Sequence, residues 1–257
     1  MSRLGIYASQ NSGRAGIPAG YSLWLDASDA SVFTFSTGSQ VSQWNDKSAN
    51  GYIFQQSTSS NQPLRNGSKN GLSTVTFDGT NDRLVGTNTT GINPTSWSLF
   101  IVGQGIGSST QTTIAKRGND SAADDSWGSG YYNSKFYARA RNLSNASNAT
   151  ILDASQGLWV IQSNASNGSV GSYIYTSSIV SNNSSASVYF NGANLASATA
   201  GSQSVSGAGQ VSVGCLFQGG AVEFLNGNIA EILLYPSVLG TTDRQTVENY
   251  LKTKWGF

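Results

Sequence analysis

The sequence predicts an all-β fold, in which two antiparallel sheets form a sandwich with a short C-terminal α-helix. Three observations lead to this prediction: few charged residues, short β-type runs separated by turn residues, and one helical segment near the end. Charged residues make up 11% of the 257 residues, against roughly 25% in an average domain. Ser, Thr, Asn and Gly take their place, and these residues suit the solvent faces and turns of antiparallel sheets.

Short runs rich in aromatic and β-branched residues recur from Tyr21 onward, and turn residues bound them, which is typical of strands. Residues 97–102 form an apolar run without alternation, which predicts a central strand covered on both faces. The pair Asn191-Gly192 tolerates the positive φ angles of a tight turn and predicts a hairpin. The predicted strands are residues 21–25, 74–77, 97–102, 131–139, 158–162, 172–175, 187–190, 211–217 and 229–235.

One helix is predicted at the C-terminus. Thr242 is its predicted N-cap, and Gln245 three residues later completes a capping box. Gly256, directly after the last turn, is expected to end the helix. We expect the helix to lie against the sandwich and to cap one open end of its core. Its predicted apolar face consists of Val247, Tyr250, Leu251 and Trp255.

The chain is expected to contain one folded domain, residues 21–257, preceded by an irregular arm, residues 1–20. A length of 257 residues is within the range of a single β-sandwich. The first ten residues lack the apolar stretch of a signal peptide, and no apolar run is long enough to span a membrane. The single cysteine, Cys215, lies in an apolar run and is predicted to be a buried, inert thiol.

Composition argues against several classes of function. The formal net charge is +1 without a basic stripe, so nucleic-acid binding is not expected. The chain has no histidine, which excludes a Ser–His–Asp or Cys–His arrangement. Glycoside hydrolysis normally needs two carboxyl groups on either side of the sugar bond. Glu223 and Glu231 straddle Asn226-Gly227 and could face each other across a hairpin, which leaves a divergent glycosidase as the weakest alternative.

Several stretches together resemble the laminin-G-like jelly-roll domains of the concanavalin A-like lectin and glucanase superfamily. They are LWLDASD at 23–29, VSQWNDKS at 41–48, VTFDGTNDRL at 75–84, NGNIAEILLY at 226–235 and the terminal YLKTKWGF at 250–257. These stretches look like the family's opening strand, its Phe-Asp-Gly turn, and its closing strand and helix. The resemblance implies a two-sheet antiparallel jelly roll over residues 21–257. The clustered acids of the family's glucanases, Glu-x-Asp-x-x-Glu along one strand, are missing.

The arm and the composition are similar to those of structural proteins of tailed bacteriophages. That resemblance implies a virion protein, either a tail fibre or a capsid decoration, which is made in the host cytoplasm and needs no signal peptide. Leu4, Ile6 and Tyr7 give the arm hydrophobic anchors for docking onto other virion proteins. The alternative is a bacterial carbohydrate-binding or adhesion module without a virion role. A homo-oligomer is possible in either setting.

The segment 119–133 is the predicted carbohydrate-binding loop. It contains Trp127, Tyr131 and Tyr132, whose rings could offer apolar platforms with polar edges. Asp124 and Asp125 could hydrogen-bond sugar hydroxyls. The competing interpretation places these rings in the core or in a subunit contact.

A calcium site is the one cofactor that the sequence suggests. Asp78, Asn81 and Asp82 crowd a single turn, and hard oxygen ligands at such spacing can hold Ca²⁺. Further ligands could come from other loops, if the fold brings them together: Asp26, Asp29 and Asp46. The competing interpretation is that Asp and Asn satisfy backbone donors in turns.

Overall fold

A computed structural model describes residues 16–94, 96–106, 109–117, 126–132, 135–141, 158–162, 174–175, 177–181, 185–190, 193–199, 209–217 and 220–257. These residues form two large antiparallel sheets, a small two-stranded sheet and one α-helix. The predicted all-β sandwich with a C-terminal helix is therefore confirmed. No helix within the described residues is long and apolar enough to cross a membrane.

The first large sheet, sheet A, is built around a ten-residue strand near the C-terminus. Its strands, in spatial order, are β16 (Ala193–Thr199), β15 (Ser185–Phe190), β14 (Ser177–Ser181), β8 (Trp97–Gly105), β20 (Asn226–Tyr235), β6 (Leu72–Asp78) and β5 (Leu64–Lys69). Two further strands join this path: β1 (Leu23–Asp26) pairs with β20, and β13 (Ile174–Tyr175) pairs with β8.

The second large sheet, sheet B, faces sheet A across the core. Its strands, in spatial order, are β12 (Leu158–Gln162), β11 (Lys135–Arg141), β10 (Ser126–Tyr132), β9 (Gln111–Arg117), β17 (Val211–Val213), β7 (Leu84–Thr87), β4 (Ile53–Gln55), β3 (Val41–Asn45) and β2 (Phe33–Phe35). A small hairpin joins β18 (Leu216–Phe217) to β19 (Ala221–Val222). The 3-10 helices are Ala30–Val32, Ser59–Asn61 and Thr89–Gly91.

Sheet A is buried on both of its faces, and strand β8 shows this most clearly. Its Leu99 and Ile101 belong to the core between the two sheets. Its Phe100 and Val102 belong to a second hydrophobic cluster on the opposite face. The prediction of a central strand covered on both sides is confirmed. Burial on both faces explains why this run shows no alternation of apolar and polar residues.

The helix α1 (Thr241–Trp255) forms a third layer on the outer face of sheet A. Its Val247, Leu251 and Trp255 pack in the second cluster. The expectation that the helix caps an open end of the core is therefore wrong, because the apolar outer face of sheet A needs its own cover. The helix begins one residue before the predicted capping box, with Gly240 as its N-cap and no side-chain capping bond.

The end of the helix follows the prediction. Gly256 adopts the left-handed conformation, with φ 71°, and its N–H donates to the Lys252 carbonyl at 3.0 Å. The turn between β5 and β6 contacts this end of the helix. There the Asn70 side-chain amide donates to the Lys254 carbonyl at 3.0 Å. A hairpin turn of sheet A thereby satisfies a helix carbonyl that has no partner within the helix.

Two predicted strands are each divided in the structure. Residues 131–132 belong to β10 and residues 135–139 to β11, and these two strands pair antiparallel. Residues 211–217 are interrupted at Gly214, which has φ 81° and separates β17 from β18. A side chain at this glycine would lie 2.2 Å from the ring of Phe77. Strands β15 and β16 pair antiparallel with Phe190 opposite Ala193, as the predicted hairpin requires, and residues 191–192 themselves lie outside the described residues.

Residues before position 21 already pack on the sandwich. Ile17 belongs to the second hydrophobic cluster, and the Tyr235 hydroxyl donates to the Pro18 carbonyl at 2.9 Å. The predicted docking residues Leu4, Ile6 and Tyr7 lie outside the described residues. Docking of the arm onto a partner therefore stays a prediction.

Candidate functional site

An open groove of about 740 Å³ lies on the face of sheet B that points away from the core. It runs across β3, β4 and β7, whose inward residues Val41, Phe54 and Leu84 fill the sandwich. Because side chains alternate along a strand, the neighbouring residues of these strands line the groove. The described lining residues are Ser42, Gln43, Gln55, Gln56, Ser57, Arg83, Val85, Gly86, Thr87, Asn88, Gln210 and Phe217.

The groove lining is rich in amide and hydroxyl groups, which supply both hydrogen-bond donors and acceptors. Gln210 is held by Thr89, whose backbone N–H and hydroxyl donate to Gln210 Oε1 at 2.9 and 2.6 Å. This leaves the Gln210 amide nitrogen as a donor. Gln43 has the opposite arrangement: its Nε2 donates to Asn45 Oδ1 at 2.6 Å, which leaves its Oε1 as an acceptor. The two anchored amides can therefore offer complementary groups to one ligand.

Phe217 supplies an apolar surface in this polar setting. Phe217 is 37% exposed, and together with Val85 it gives the groove an apolar component beside its amides and hydroxyls. Val213 pairs with Leu84, so Arg83 and the segment leading to Phe217 leave sheet B at the same end. An aromatic face beside hydrogen-bonding groups suits a ligand with an apolar face and polar edges.

The groove contains one cation and no carboxylate among its described lining residues. Arg83 Nη1 donates to the Asn81 backbone carbonyl at 3.0 Å. With the Asn61 amide oriented so that its oxygen faces the guanidinium, Asn61 Oδ1 accepts from Nη1 and Nη2 at 3.1 and 3.2 Å. The guanidinium is therefore fixed by neutral acceptors.

The structure corrects one residue of the predicted carbohydrate-binding loop. Trp127 is fully buried in the core, its indole N–H donates to the Ile92 carbonyl at 3.3 Å, and its ring centroid lies 6.1 Å from that of Trp97. It cannot serve as an exposed platform, because a strand of sheet B directs it inward. Asp124 and Asp125 lie outside the described residues, as do the side chains of Tyr131 and Tyr132. Sugar contacts by these four residues stay predictions.

The turn after β6 uses its acidic side chains to hold its own backbone. Asp78 Oδ1 accepts from the backbone N–H groups of Thr80, Asn81 and Asp82 at 2.8, 3.2 and 3.4 Å. Asp82 Oδ2 accepts from the Asp78 N–H at 3.0 Å. Burial and then the Asp78 charge raise the pKa of Asp82 to about 6. These bonds match the turn-stabilising interpretation, and calcium binding by Asp78, Asn81 and Asp82 stays a prediction.

The other acidic candidates meet around a lysine. Lys47 Nζ lies 2.9 Å from Asp26 Oδ2 and 2.9 Å from Asp29 Oδ2. Asp46 instead accepts from the Trp24 N–H and the Ser48 N–H at 2.7 and 2.8 Å. The loops that carry Asp26, Asp29 and Asp46 lie next to each other, but the Lys47 ammonium stands between the carboxylates of Asp26 and Asp29. Across the described residues, no group of three or more Asp, Glu or Cys side chains could hold a metal ion.

The predicted Glu223 and Glu231 pair does not exist. Asn226 and Gly227 are not a turn, because both belong to strand β20 and pair with β6. Glu223 accepts from the Thr112 hydroxyl at 2.7 Å on sheet B, whereas Glu231 is buried under the helix on sheet A. The glycosidase alternative loses the two facing carboxylates on which it depended.

Glu231 is the centre of a buried polar network between sheet A and the helix. A β-bulge between Ile229 and Glu231 accompanies its position under the helix. Its carboxylate accepts from Trp24 Nε1, Tyr250 OH and Trp255 Nε1 at 2.7, 3.0 and 2.7 Å. Burial raises its pKa, against the opposing charge of Lys254.

Lys254 bridges two carboxylates in this network. Asp26 and Glu231 lie directly opposite each other on β1 and β20. The ammonium lies 2.8 Å from Asp26 Oδ1 and 2.8 Å from Glu231 Oε2. Burial pushes the pKa of Asp26 upward, but Lys254 and the hydrogen bonds of Ser28 and Lys47 outweigh it and lower that pKa. Because every carboxylate oxygen is engaged, the network holds the helix in place and offers no reactive group.

Sequence reasoning missed the groove altogether. Its described lining residues come from five separate segments of the chain, and most are Gln, Ser or Thr. Two of these segments belong to β3 and β4, which hydrophobic patterning did not detect. One signal was present: residues 55–57 read Gln-Gln-Ser directly after the apolar pair of β4. Cys215 was predicted correctly as a buried thiol, and burial raises its pKa to about 12.

The fold, an antiparallel β-sandwich with a C-terminal helix, is shared with several solved structures. The chain is similar to domain 4 of AbnA, an extracellular GH43 arabinanase from Geobacillus stearothermophilus, in complex with arabinotriose, at TM-score 0.59 and 12% identity. The alignment covers 90% of this chain and 98% of that domain. No protein-family model matches the sequence, and no curated protein sequence matches it.

Two toxin domains share the same fold. The binding domain of Paraclostridial Mosquitocidal Protein 1 aligns at TM-score 0.58 and 11% identity, over 92% of this chain and 53% of that one. The binding domain of botulinum neurotoxin serotype D aligns at TM-score 0.57 and 11% identity, over 90% of this chain and 50% of that one. The chain therefore spans about half the length of the toxin domains. Similarity at this level of identity establishes the sandwich fold.

Proposed function

We propose that this chain is a non-catalytic glycan-binding domain and that the groove on sheet B is its binding surface. The observation that carries the proposal is the lining: anchored amides at Gln43 and Gln210, the guanidinium of Arg83, and the exposed ring of Phe217. Sugars present hydroxyls at their edges and C–H groups on their faces. Amides with both donors and acceptors suit the hydroxyls, and an aromatic ring suits the C–H face.

Similarity of fold adds support to this proposal. The arabinanase domain, which covers most of this chain, was observed with arabinotriose bound. Folds host many functions, so this likeness raises the expectation of glycan binding without defining the site. The site rests on the groove itself.

The proposal excludes hydrolysis by the groove. Glycosidases normally place two carboxyl groups about 5 to 10 Å apart around the scissile bond, and the described lining of the groove has none. Glu231, one of the two acids that the glycosidase alternative invoked, accepts hydrogen bonds from four neighbours in a buried network. Incubation with any bound glycan is therefore expected to yield no new reducing ends.

The proposal is tested by a glycan array probed with the wild-type chain and with two phenylalanine variants. Phe217→Ala removes an aromatic ring inside the groove. Phe35→Ala is the matched control, because Phe35 is exposed to nearly the same extent, 38% against 37%, and does not line the groove. We expect binding that weakens about tenfold in Phe217→Ala and persists in Phe35→Ala. Equal loss in both variants, or no binding to any glycan, would contradict the proposal.

The predicted loop residues can be tested in the same assay. The substitutions Tyr131→Ala, Tyr132→Ala, Asp124→Asn and Asp125→Asn each remove one predicted contact without touching the buried Trp127. A loss of binding in these variants while Phe217→Ala binds normally would move the site from the groove to the 119–133 loop.

The biological setting that we propose is a bacteriophage virion, in which the N-terminal arm docks onto a neighbouring protein and the groove faces host-surface glycan. The support is the similarity of the arm and composition to tailed-phage structural proteins. The alternative is a bacterial adhesion module. Cryo-electron microscopy of purified particles distinguishes the two: density for this domain, with Leu4, Ile6 and Tyr7 against a neighbour, is the expected result. Particles that lack the domain would refute the virion setting and leave the groove proposal intact.

A further inference from the structure

We infer that the groove selects glycans that carry a carboxylate, and that Arg83 is the residue that recognises it. This inference rests on the proposed glycan-binding function and names the class of sugar. Among its described lining residues, Arg83 is the only charged side chain. An acidic sugar would therefore meet one cation and no opposing carboxylate.

The hydrogen bonds of Arg83 leave one edge of its guanidinium unused. Nη1 donates to the Asn81 carbonyl, and Nη1 and Nη2 together hold Asn61 Oδ1. A guanidinium carries five N–H groups, so the Nε–H and the second Nη2–H are not used by these contacts. These two N–H groups are parallel and form the fork that binds a carboxylate through both of its oxygens.

The two neutral acceptors hold the Arg83 guanidinium in place before a ligand binds. They restrain the side chain without neutralising its charge, because a backbone carbonyl and an amide oxygen carry no net charge. Ordering a free arginine side chain would cost conformational entropy on binding. A guanidinium that is already held by Asn61 and Asn81 avoids much of that cost.

The position of Arg83 also fits recognition of a terminal or branching acid group. It precedes β7 at one end of the groove, whereas Asn88 follows β7 at the other end. At about 3.3 Å per residue along a strand, these two residues lie roughly 16 Å apart. A carboxylate bound at Arg83 would thus sit beside Phe217, and the neutral sugars would extend along the amides toward Gln210 and Asn88.

The test compares matched pairs of glycans that differ in a carboxyl group. Two probes are used with their neutral counterparts: trigalacturonate with its carboxyl-reduced form, and 3′-sialyllactose with lactose. Isothermal titration of the wild-type chain is expected to give at least about tenfold tighter binding to the acidic member of a pair. Raising NaCl from 50 to 500 mM should weaken binding of the acidic member more than that of the neutral one.

Two substitutions at the same position separate charge from geometry. Arg83→Gln removes the charge and should bring the acidic-to-neutral ratio close to one. Arg83→Lys keeps the charge without the fork and should give an intermediate ratio. Gln55→Ala, a groove variant without charge, should weaken both members of a pair by the same factor. Circular dichroism and thermal unfolding confirm that each variant is folded.

The outcomes distinguish this inference from the function on which it rests. Binding to neutral and acidic members with equal affinity, or a preference for acids that persists in Arg83→Gln, would overturn the role of Arg83 and leave glycan binding standing. If the pairs fail to bind, the glycan array decides: binding restricted to neutral glycans refutes the inference alone. No binding to any glycan refutes the proposed function and the inference together.

Discussion

At the scale of single residues, several acidic side chains in the described part of the chain support the fold. Asp78 holds three backbone N–H groups of its own turn, and Asp26 and Asp29 surround Lys47. Hydrogen bonds from Ser31 and Lys47 lower the pKa of Asp29 to about 2. The sequence left two interpretations of these acids open, calcium ligands or side chains that satisfy backbone donors in turns, and it did not predict the contact of Asp26 and Asp29 with Lys47. The decision depends on where Lys47 Nζ lies, and sequence spacing does not report that position.

Asp82 provides a test at this scale. The pKa of Asp82 in the folded chain is about 6, above the ordinary value of 3.8. Between pH 3.8 and pH 6, the folded chain therefore keeps the Asp82 proton, whereas the unfolded chain has released it. Stability therefore falls as pH rises from about 4 through 6. Asp82→Asn removes this effect and is expected to raise the free energy of unfolding at pH 7.5 by about 1–3 kcal/mol. Urea unfolding of wild type and Asp82→Asn at pH 7.5 and at pH 4 measures this difference in the free energy of unfolding.

The control for Asp82 lies in the pH dependence itself. At pH 4 the wild-type carboxyl is already protonated, so the difference between wild type and Asp82→Asn should nearly vanish. A stabilisation of equal size at both pH values would show that packing, and not the charge of Asp82, causes it.

At the scale of elements, the helix and sheet A depend on each other through polar contacts as well as apolar ones. The helix presents Val247, Leu251 and Trp255 to the outer face of the sheet, and Lys254 joins Asp26 to Glu231 beneath it. The sequence predicted this helix and its stop at Gly256. It did not predict the layer that the helix forms, because a pattern of apolar residues identifies a buried face and not the surface that buries it.

Lys254→Met is expected to destabilise the protein by about 3–5 kcal/mol, because it leaves Glu231 buried without its cation. The matched control is Lys252→Met, which removes an exposed lysine from the same helix and should change stability by less than about 0.5 kcal/mol. Thermal and urea unfolding measure both variants. Equal effects of the two substitutions would show that helix charge, and not the buried network, is responsible.

Glu231→Gln in the Lys254→Met background extends this test. The double variant removes the unpaired buried carboxylate and should recover part of the lost stability. A double variant that is less stable than Lys254→Met alone would contradict an electrostatic origin for the loss.

Strand β20 depends on a glycine in the middle of sheet A. A Cβ added at Gly227 would lie 1.9 Å from the Gln104 carbonyl oxygen on β8. Gly227→Ala is therefore expected to cost about 1–3 kcal/mol of stability or more. Gly91→Ala is the control, because a Cβ there meets nothing within 4 Å. Comparable midpoints of urea unfolding for both alanine variants would contradict the close approach at Gly227.

At the scale of the whole molecule, the fold was predictable and the groove was not. Apolar runs such as residues 97–102, 158–162 and 229–235 matched observed strands because hydrophobic residues report burial directly. Strands β2 to β5 were not predicted, since sequences such as Leu-Arg-Asn-Gly-Ser-Lys have weak β propensity and form strands through pairing with neighbours. The groove runs across β3, β4 and β7, none of which was predicted as a strand, so it could be found only after the sheet was assembled.

Trp127 shows a second feature that the sequence could not predict, the direction in which a side chain points. Its neighbours Asp125, Ser126, Gly128 and Ser129 are polar or small, and this composition suggested an exposed loop. The ring is nevertheless in the core, because residue 127 points inward from a strand of sheet B. Local composition reports the average environment of a segment, whereas the direction of one side chain depends on strand register.

The most direct test of glycan binding by the groove is an NMR titration of the isotope-labelled chain with the strongest ligand from the glycan array. We expect chemical-shift changes concentrated at Gln43, Gln55, Val85, Gln210 and Phe217, with no change at Glu231 and its partners under the helix. Shifts concentrated at Tyr131, Tyr132 and the residues before Trp127, with the groove unaffected, would contradict the central claim and place the binding surface on the 119–133 loop.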